Sequence, residues 1–381
     1  CRFEILKSIF LKNVKYVIFI YLLFIISCKE NKHIENKSLK MNLKDSLDIR
    51  LLKLSKKTYD TLVRNEFSSL SDEYRDSNKS ERFLETSKTI EKKSLTIKDT
   101  FGIIKAKSNI GLYYYEKFII DSSYYYVTEA EKLSKITRKK PFLGSILQIK
   151  ANIHWTQKNY AEAESTAIQA LKIFINKNYL SDIIYCNIII ANSLTGMKKE
   201  NEALKYYYKA LEKVNGLHEG KLIEKAQIYN YIALLYQNQN QHQKAISILE
   251  NEIDEKQLKE LDIKLYCYQK NTKNYSKYKL GDKSSVNGFL ETLKIGDSLK
   301  FAPIQITSKT YLGEYYLAQK DTAKANIYLK EAQKQAHQND IFEDELTILT
   351  LLSKANPKLN SYYSNRFIQL NDSLQIEERK T

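Results

Sequence analysis

Along the middle of the chain, small and apolar residues recur in a fixed frame: a small residue, then small or apolar residues at offsets of twelve, sixteen and nineteen. Leu312-Gly313-x-x-Tyr316 followed by Ala325-x-x-x-Leu329-x-x-Ala332 shows the frame most fully. Steps of three and four residues keep side chains on one face of a helix. Small residues on two consecutive helices let the pair approach closely, and Tyr316 and Leu329 fill the space beside them. The frame recurs as Gly111, Ser123, Val127, Ala130; as Ala151, Ala163, Ala167, Ala170; and as Ala191, Ala203, Tyr207, Ala210. Ala233, Ala245, Leu249 keeps it until Glu252, while Asn274, Val286, Leu290, Leu293 keeps the apolar positions and loses both small ones. The pattern predicts a stack of antiparallel helix pairs, with polar turns inside the pairs at Lys158-Asn159, Gly196, Asn238-Gln239-Asn240, Gly281-Asp282 and Lys320-Asp321.

First small residues at 111, 151, 191, 233, 274 and 313 are spaced 40, 40, 42, 41 and 39 apart. This frame resembles the tetratricopeptide repeat, with units longer than the common 34 residues. A period near 40 also suits HEAT or armadillo units, but the Gly-x-x-Tyr and Ala-x-x-x-Leu/Tyr-x-x-Ala spacing favours the tetratricopeptide reading. The resemblance implies an all-α, right-handed superhelical solenoid whose concave wall is lined by the first helix of each pair. Pro141 and Pro303 fall ten residues before Ala151 and Gly313, a phase at which proline can start a helix.

The flanks read differently. Lys7, Lys12 and Lys15 precede an apolar run from Val17 to Ile26 that ends at Ser27-Cys28, the outline of a signal peptide. That run is about half of the roughly 20 residues a spanning helix needs. Ile25-Ile26-Ser27-Cys28 resembles a lipobox, which would place lipid on Cys28; an ordinary signal peptide or a bare anchor are the competing readings. The expected organisation is a signal segment over 1–28, a polar tether over 29–42, degenerate helical repeats capping the stack over 43–100, the solenoid over 101–340 and a last helix pair over 341–381, split at Asn356-Pro357.

Composition supports helices and says little about chemistry. Ten Gly and three Pro are too few for the tight turns of an all-β protein. The formal charge of +16 comes from Lys scattered with Glu, without an Arg-rich or aromatic-interleaved cluster, so no nucleic-acid partner is expected. His33, His154, His218, His242 and His337 include no pair at metal-ligand spacing, and His154, where the frame places Tyr, reads as a packed side chain. Nucleophile elbow, phosphate loop and Cys-x-x-Cys patterns do not occur, which disfavours an enzyme and calls for no cofactor. Cys186 and Cys267 lie two units apart and read as buried thiols.

The expected work is therefore protein or peptide binding on the concave wall. Helical spacing assigns Tyr115, Asn152, Trp155, Asn192, Asn230, Tyr275 and Tyr278 to that wall, with Leu112, Leu234 and Glu314 beside them. Asn amides can pair with both donors and acceptors of a peptide backbone, and Tyr or Trp supply apolar area. With Cys28 lipidated, the expectation is an exported adaptor tethered to a membrane and facing the periplasm or cell surface. The C-terminal Phe367-Ile368-Gln369-Leu370-Asn371-Asp372-Ser373-Leu374, followed by Glu377-Glu378-Arg379-Lys380-Thr381, is similar to the end of the sensory part of membrane-bound tetratricopeptide regulators with helix-turn-helix or kinase outputs. Since no apolar span or output module follows Thr381, that resemblance implies the ligand-sensing half of a truncated regulator, the alternative to the adaptor. A third reading, a glycan or small-molecule binder, would need a closed aromatic pocket around Trp155.

Overall fold

The computed structural model describes residues 47–380 apart from 78, 139 and 141, and the side chains of 376–380 are also left aside. Within that range every regular element is helical. In chain order they are α1 (47–55), α2 (Thr61–Asp76), α3 (Ser80–Thr96), α4 (Thr100–Glu116), α5 (Ile120–Ile136), α6 (Leu143–Thr156), α7 (Tyr160–Lys177), α8 (Leu180–Gly196) and α9 (Glu200–Val214). After Gly220 come α10 (Lys221–Asn238), α11 (His242–Glu252), α12 (Glu255–Leu261), α13 (Ile263–Lys279), α14 (Ser285–Leu299), α15 (Ala302–Ala318), α16 (Thr322–Gln338), α17 (Phe342–Ala355) and α18 (Asn360–Lys380). A 3-10 turn, Pro357–Leu359, separates the last two.

The chain forms two compact units that divide at Gly220 and Lys221. In each, consecutive helices pack as antiparallel pairs, and the pairs stack into the all-helical solenoid architecture of tetratricopeptide repeats. The signal-like segment, Cys28, the tether and Pro141 lie outside the described residues. Pro303 sits at the start of α15, where its missing N–H has no helical partner to lose.

First and second helices of a pair differ in burial for a reason visible in their sequences. On α7 the buried residues are Ala163, Thr166, Ala167, Ala170 and Phe174, a single stripe at steps of three and four. On α8 the buried set includes Ile183, Ile184, Cys186, Asn187, Ile188, Ile189, Ile190, Ala191 and Asn192, which circles the helix. First helices are thus enclosed by neighbours, and polar side chains upon them must find partners there.

Small residues mark the closest approaches. A Cβ on Gly111 would lie 2.6 Å from Val127 Cγ2, and one on Gly313 would lie 2.5 Å from Leu329. The pair of α13 and α14 departs from the expected register. Its turn runs from Leu280 through Ser284, so Leu290 is exposed, and the buried face of α14 is Ser285, Gly288, Phe289, Thr292 and Gly296. Here the small residue has changed helices: a Cβ on Gly288 would meet the Asn274 amide at 2.1 Å. Asn274 therefore occupies the space that its own smallness would otherwise have provided. The pair of α10 and α11 also departs, since α11 stops at Glu252 and the extra α12 follows, burying Ile253 and Leu258.

Helix ends close with one recurrent device. After α6, Lys158 N–H donates to Trp155 O and Asn159 N–H to His154 O, with Lys158 at φ 60°. This is the Schellman arrangement. It recurs at Phe118, Asn178, Lys198, Asn240, Gly281, Lys300, Lys320 and Asp340. Gly196, expected in a turn, is instead the last residue of α8, and a Cβ there would press on the Tyr160 ring at 2.7 Å. The turn beyond it is made by Lys198.

Candidate functional site

All seven sequence-assigned wall residues lie on first helices, but their exposure differs from that of an open wall. Asn152, Trp155, Asn192, Asn230 and Tyr275 are 5 %, 4 %, 1 %, 0 % and 4 % exposed, while Tyr115 and Tyr278 are half-buried. The physical reason is a ladder of hydrogen bonds between successive first helices, which spends much of the polar inventory within the fold.

In the unit ending at Gly220, Asn109 Nδ2 donates to Ser71 Oγ at 3.4 Å and Arg75 Nε to Glu116 Oε1 at 3.1 Å. The Tyr115 hydroxyl lies 3.4 Å from Thr156 Oγ1, and burial pushes its pKa up to about 12. Between α6 and α8, Gln148 Nε2 reaches Asp182 O at 3.3 Å and Cys186 Sγ at 3.5 Å, and Asn152 Nδ2 reaches the Tyr185 hydroxyl at 2.8 Å.

Farther along the same two helices the ladder leaves donors over. The Trp155 indole Nε1 and the Asn192 Nδ2 are buried with no hydrogen-bond partner among the described residues. Asn192 is nevertheless held firmly, because the Tyr207 hydroxyl donates to its Oδ1 at 2.6 Å. Trp155 packs on Tyr160, the ring that also covers Gly196 one turn beyond Asn192. A buried donor left unmatched costs about 1–3 kcal/mol, so such groups call for an explanation.

The unit beginning at Lys221 repeats the arrangement. Gln237 Nε2 donates to Thr272 O at 2.6 Å and Ser276 Oγ at 2.8 Å, and Gln269 Nε2 to Ala226 O at 2.7 Å. Asn271 Nδ2 donates to Ser308 Oγ at 3.0 Å and its Oδ1 accepts from Thr292 at 2.6 Å. Glu314 draws together Lys279 at 2.6 Å and Tyr275 at 3.5 Å, while Tyr278 donates to the Glu314 carbonyl at 3.4 Å. Burial and then Glu314 push the Tyr278 phenol up to about 12. Against this, Asn230 is buried with neither Nδ2 nor Oδ1 partnered among the described residues, and Gln227 Nε2 on the same helix is alike. Leu234 on the same helix is buried; Leu112, in the unit ending at Gly220, is partly buried.

Sequence spacing missed Tyr207 and Gln227. Tyr207 stands at offset sixteen in a frame that elsewhere carries Val, Ala or Leu, and that substitution was the available signal. Cys186 and Cys267 are free and buried, and burial pushes both thiols up to about 12, which makes them inert. Among the described residues no group of His, Cys, Asp and Glu could hold a metal, and no helix is long and apolar enough to cross a membrane.

Residues 181–251, covering α8 to α11, match the tetratricopeptide repeat family. No curated protein sequence matches the chain. Solved structures with similar architecture include a Rap protein complexed with competence and sporulation factor, at 13 % identity and a TM-score of 0.64, covering 97 % of this chain and 99 % of that one. The apo quorum sensor NprR from B. thuringiensis is similar at 16 % identity and a TM-score of 0.63, covering 88 % and 99 %. NprR in complex with its cognate peptide NprX gives 16 % identity and a TM-score of 0.58 over 89 % and 100 %. At these identities the likeness is one of fold.

Proposed function

We propose that this chain is a non-catalytic binder of polypeptide, holding an extended segment against the first helices of its pairs. The observation that carries the reading is Asn192. Its Oδ1 is committed to Tyr207, so its Nδ2 is fixed as a donor, and the Trp155 indole N–H on the neighbouring first helix is a second buried donor with no partner among the described residues. Carbonyl oxygens of an extended backbone supply the acceptors such a pair requires. In the other unit, Asn230 offers a donor and an acceptor from one amide, the combination that matches a peptide group. Because these groups are buried, a ligand reaches them by displacing neighbouring side chains such as Tyr160. Rap and NprR, whose architecture this chain shares, are solved in complex with competence and sporulation factor and with a cognate peptide respectively.

Panning a random peptide display library on the purified chain tests the reading. Peptides enriched on the wild type are expected to bind Asn152→Ala, Asn192→Ala at least tenfold more weakly, with unchanged helical circular dichroism. Equal affinity for the variant overturns it.

The location of that work is a further part of the proposal. Lipid on Cys28 would tether the solenoid outside the inner membrane as an adaptor. The competing role, a ligand-sensing half of a regulator, draws support from the likeness to NprR, described as a quorum sensor. Mass spectrometry of the N-terminus with and without Cys28→Ser separates a diacylated adaptor from an unmodified chain.

A further inference from the structure

Charge and exposed apolar side chains are sorted across the unit ending at Gly220. Because its pairs are antiparallel, the second helices α3, α5 and α7 all end on one edge of the stack. Each opens with an acid on the opposite edge, Glu81, Asp121 or Glu162, and closes with a lysine, Lys93, Lys135 or Lys177. The turns beyond add Lys98, Arg138 and Lys140, all exposed. At the same helix ends and turns, apolar side chains stand in water: Ile97 is 50 %, Ile136 80 % and Tyr179 51 % exposed. We propose that this edge rests on an anionic lipid bilayer. The contact is independent of peptide binding on the first helices and of lipid on Cys28.

The carboxylates of this edge are spent within the fold. Asp60 caps α2 by accepting from the Val63 N–H at 2.8 Å, and Asp99 holds Arg64 with both oxygens at 3.0 Å. Glu131 is buried and accepts from Lys135 and Lys150, each at 2.6 Å. Asp182, in the first turn of α8, is partly buried, and burial raises its carboxyl. By contrast, Lys98, Arg138, Lys140 and Lys177 form no ion pair with any described residue. The row ends after α7: beyond α9, Lys213 pairs with Glu212 and the exposed Glu219 follows.

Helix macrodipoles account for a lysine in each last turn. They do not account for the apolar side chains, which add nothing to a helix end. One exposed apolar residue is ordinary on a protein surface. Here one stands at the same place in three successive pairs, and Leu62, 72 % exposed, continues the row at the start of α2. The opposite edge exposes Phe118 and Ile119, but in a single turn and among the acids Glu81 and Asp121. Lipid phosphates pair with ammonium and guanidinium groups, and the boundary beneath the headgroups takes up aliphatic and tyrosine side chains. A nucleic acid would match the cations and leave Ile97 and Ile136 in water.

Lysine acetylation read by peptide mass spectrometry tests the contact on the full chain, and it reports the edge itself whatever else attaches the chain to lipid. The protein is treated with acetic anhydride beside phosphatidylcholine vesicles, and beside vesicles of equal parts phosphatidylcholine and phosphatidylglycerol. Lys98, Lys140 and Lys177 are expected to react about fivefold more slowly beside the anionic vesicles, while Lys199 on the opposite edge keeps its rate. Ile97→Ser with Ile136→Ser should abolish that protection and leave the rates beside neutral vesicles unchanged, since both side chains are already exposed. Equal rates beside the two vesicles, protection that extends to Lys199, or protection that survives the double substitution overturns the proposal. Equal protection by soluble polyglutamate or by a DNA duplex also overturns it, and would make the edge a general seat for polyanions.

Discussion

The Tyr207 hydroxyl donates to Asn192 Oδ1 at 2.6 Å, so a residue from the second helix of a pair decides which end of an amide on the first helix is left to act. Both residues are essentially unexposed. The bond turns Oδ1 toward Tyr207 and converts an ambiguous amide into a dedicated donor.

Tyr207→Phe tests that orientation. The ring and its packing stay, while Oδ1 loses its donor. The expected stability loss is about 1–2 kcal/mol by chemical denaturation, the range for a buried acceptor left without its bond. Affinity for a library-selected peptide should fall several-fold, because the amide is free to rotate. Unchanged affinity together with the stability loss would make the bond purely structural.

Lys198→Gly should stabilise the chain. Lys198 closes α8 at φ 61°, a conformation that costs an L-residue about 1 kcal/mol relative to glycine. Urea unfolding should report a gain of about 0.5–1 kcal/mol, partly offset by the greater freedom of glycine when unfolded. The nearby Gly196→Ala should do the reverse, since its Cβ would meet the Tyr160 ring at 2.7 Å.

Gly288 and Asn274 should behave as a coupled pair. Gly288→Ala alone forces a methyl onto the Asn274 amide and should cost about 1–3 kcal/mol. Adding Asn274→Ala removes the obstruction. The double-mutant cycle should show a coupling of at least about 1 kcal/mol, and additivity would contradict the close contact.

Stability should fall as pH rises from about 5 to 8. Burial pushes the Asp344 carboxyl up to about 8, with Glu343 adding to the effect, and burial pushes Glu224 up to about 7. Folded protein then holds protons that the unfolded chain has released, so unfolding becomes easier as pH climbs through the folded-state values. Asp344→Asn should remove part of that slope and be the more stable protein at pH 9, by on the order of 1–2 kcal/mol. A wild-type profile that rises over this range would contradict the burial of these carboxyls.

The helix pairs were legible because the small residues of the frame, Gly111 and Gly313 among them, sit where two backbones approach, and only a few residue types fit there. The pair of α13 and α14 was misread because a longer turn moved the register, and Gly288 on the second helix replaced a small residue expected at Asn274 on the first. The short α12 was missed because no periodic signal distinguishes seven helical residues. At the candidate site, spacing placed Asn152, Asn192 and Asn230 on first helices but could not tell which amides the fold would use. Asn152 binds Tyr185, whereas Asn230 binds nothing among the described residues. That distinction depends on partners two or more helices away in sequence.

The chain contains a single tryptophan, so its indole N–H gives one nitrogen-correlated NMR signal that needs no assignment. Titrating a display-selected peptide into the labelled protein reads the central claim at Trp155 itself. The account predicts that this signal moves to the position of a hydrogen-bonded indole as peptide binds, and that it moves less in Asn192→Ala. A peptide that binds tightly while the indole signal stays where it was would contradict it.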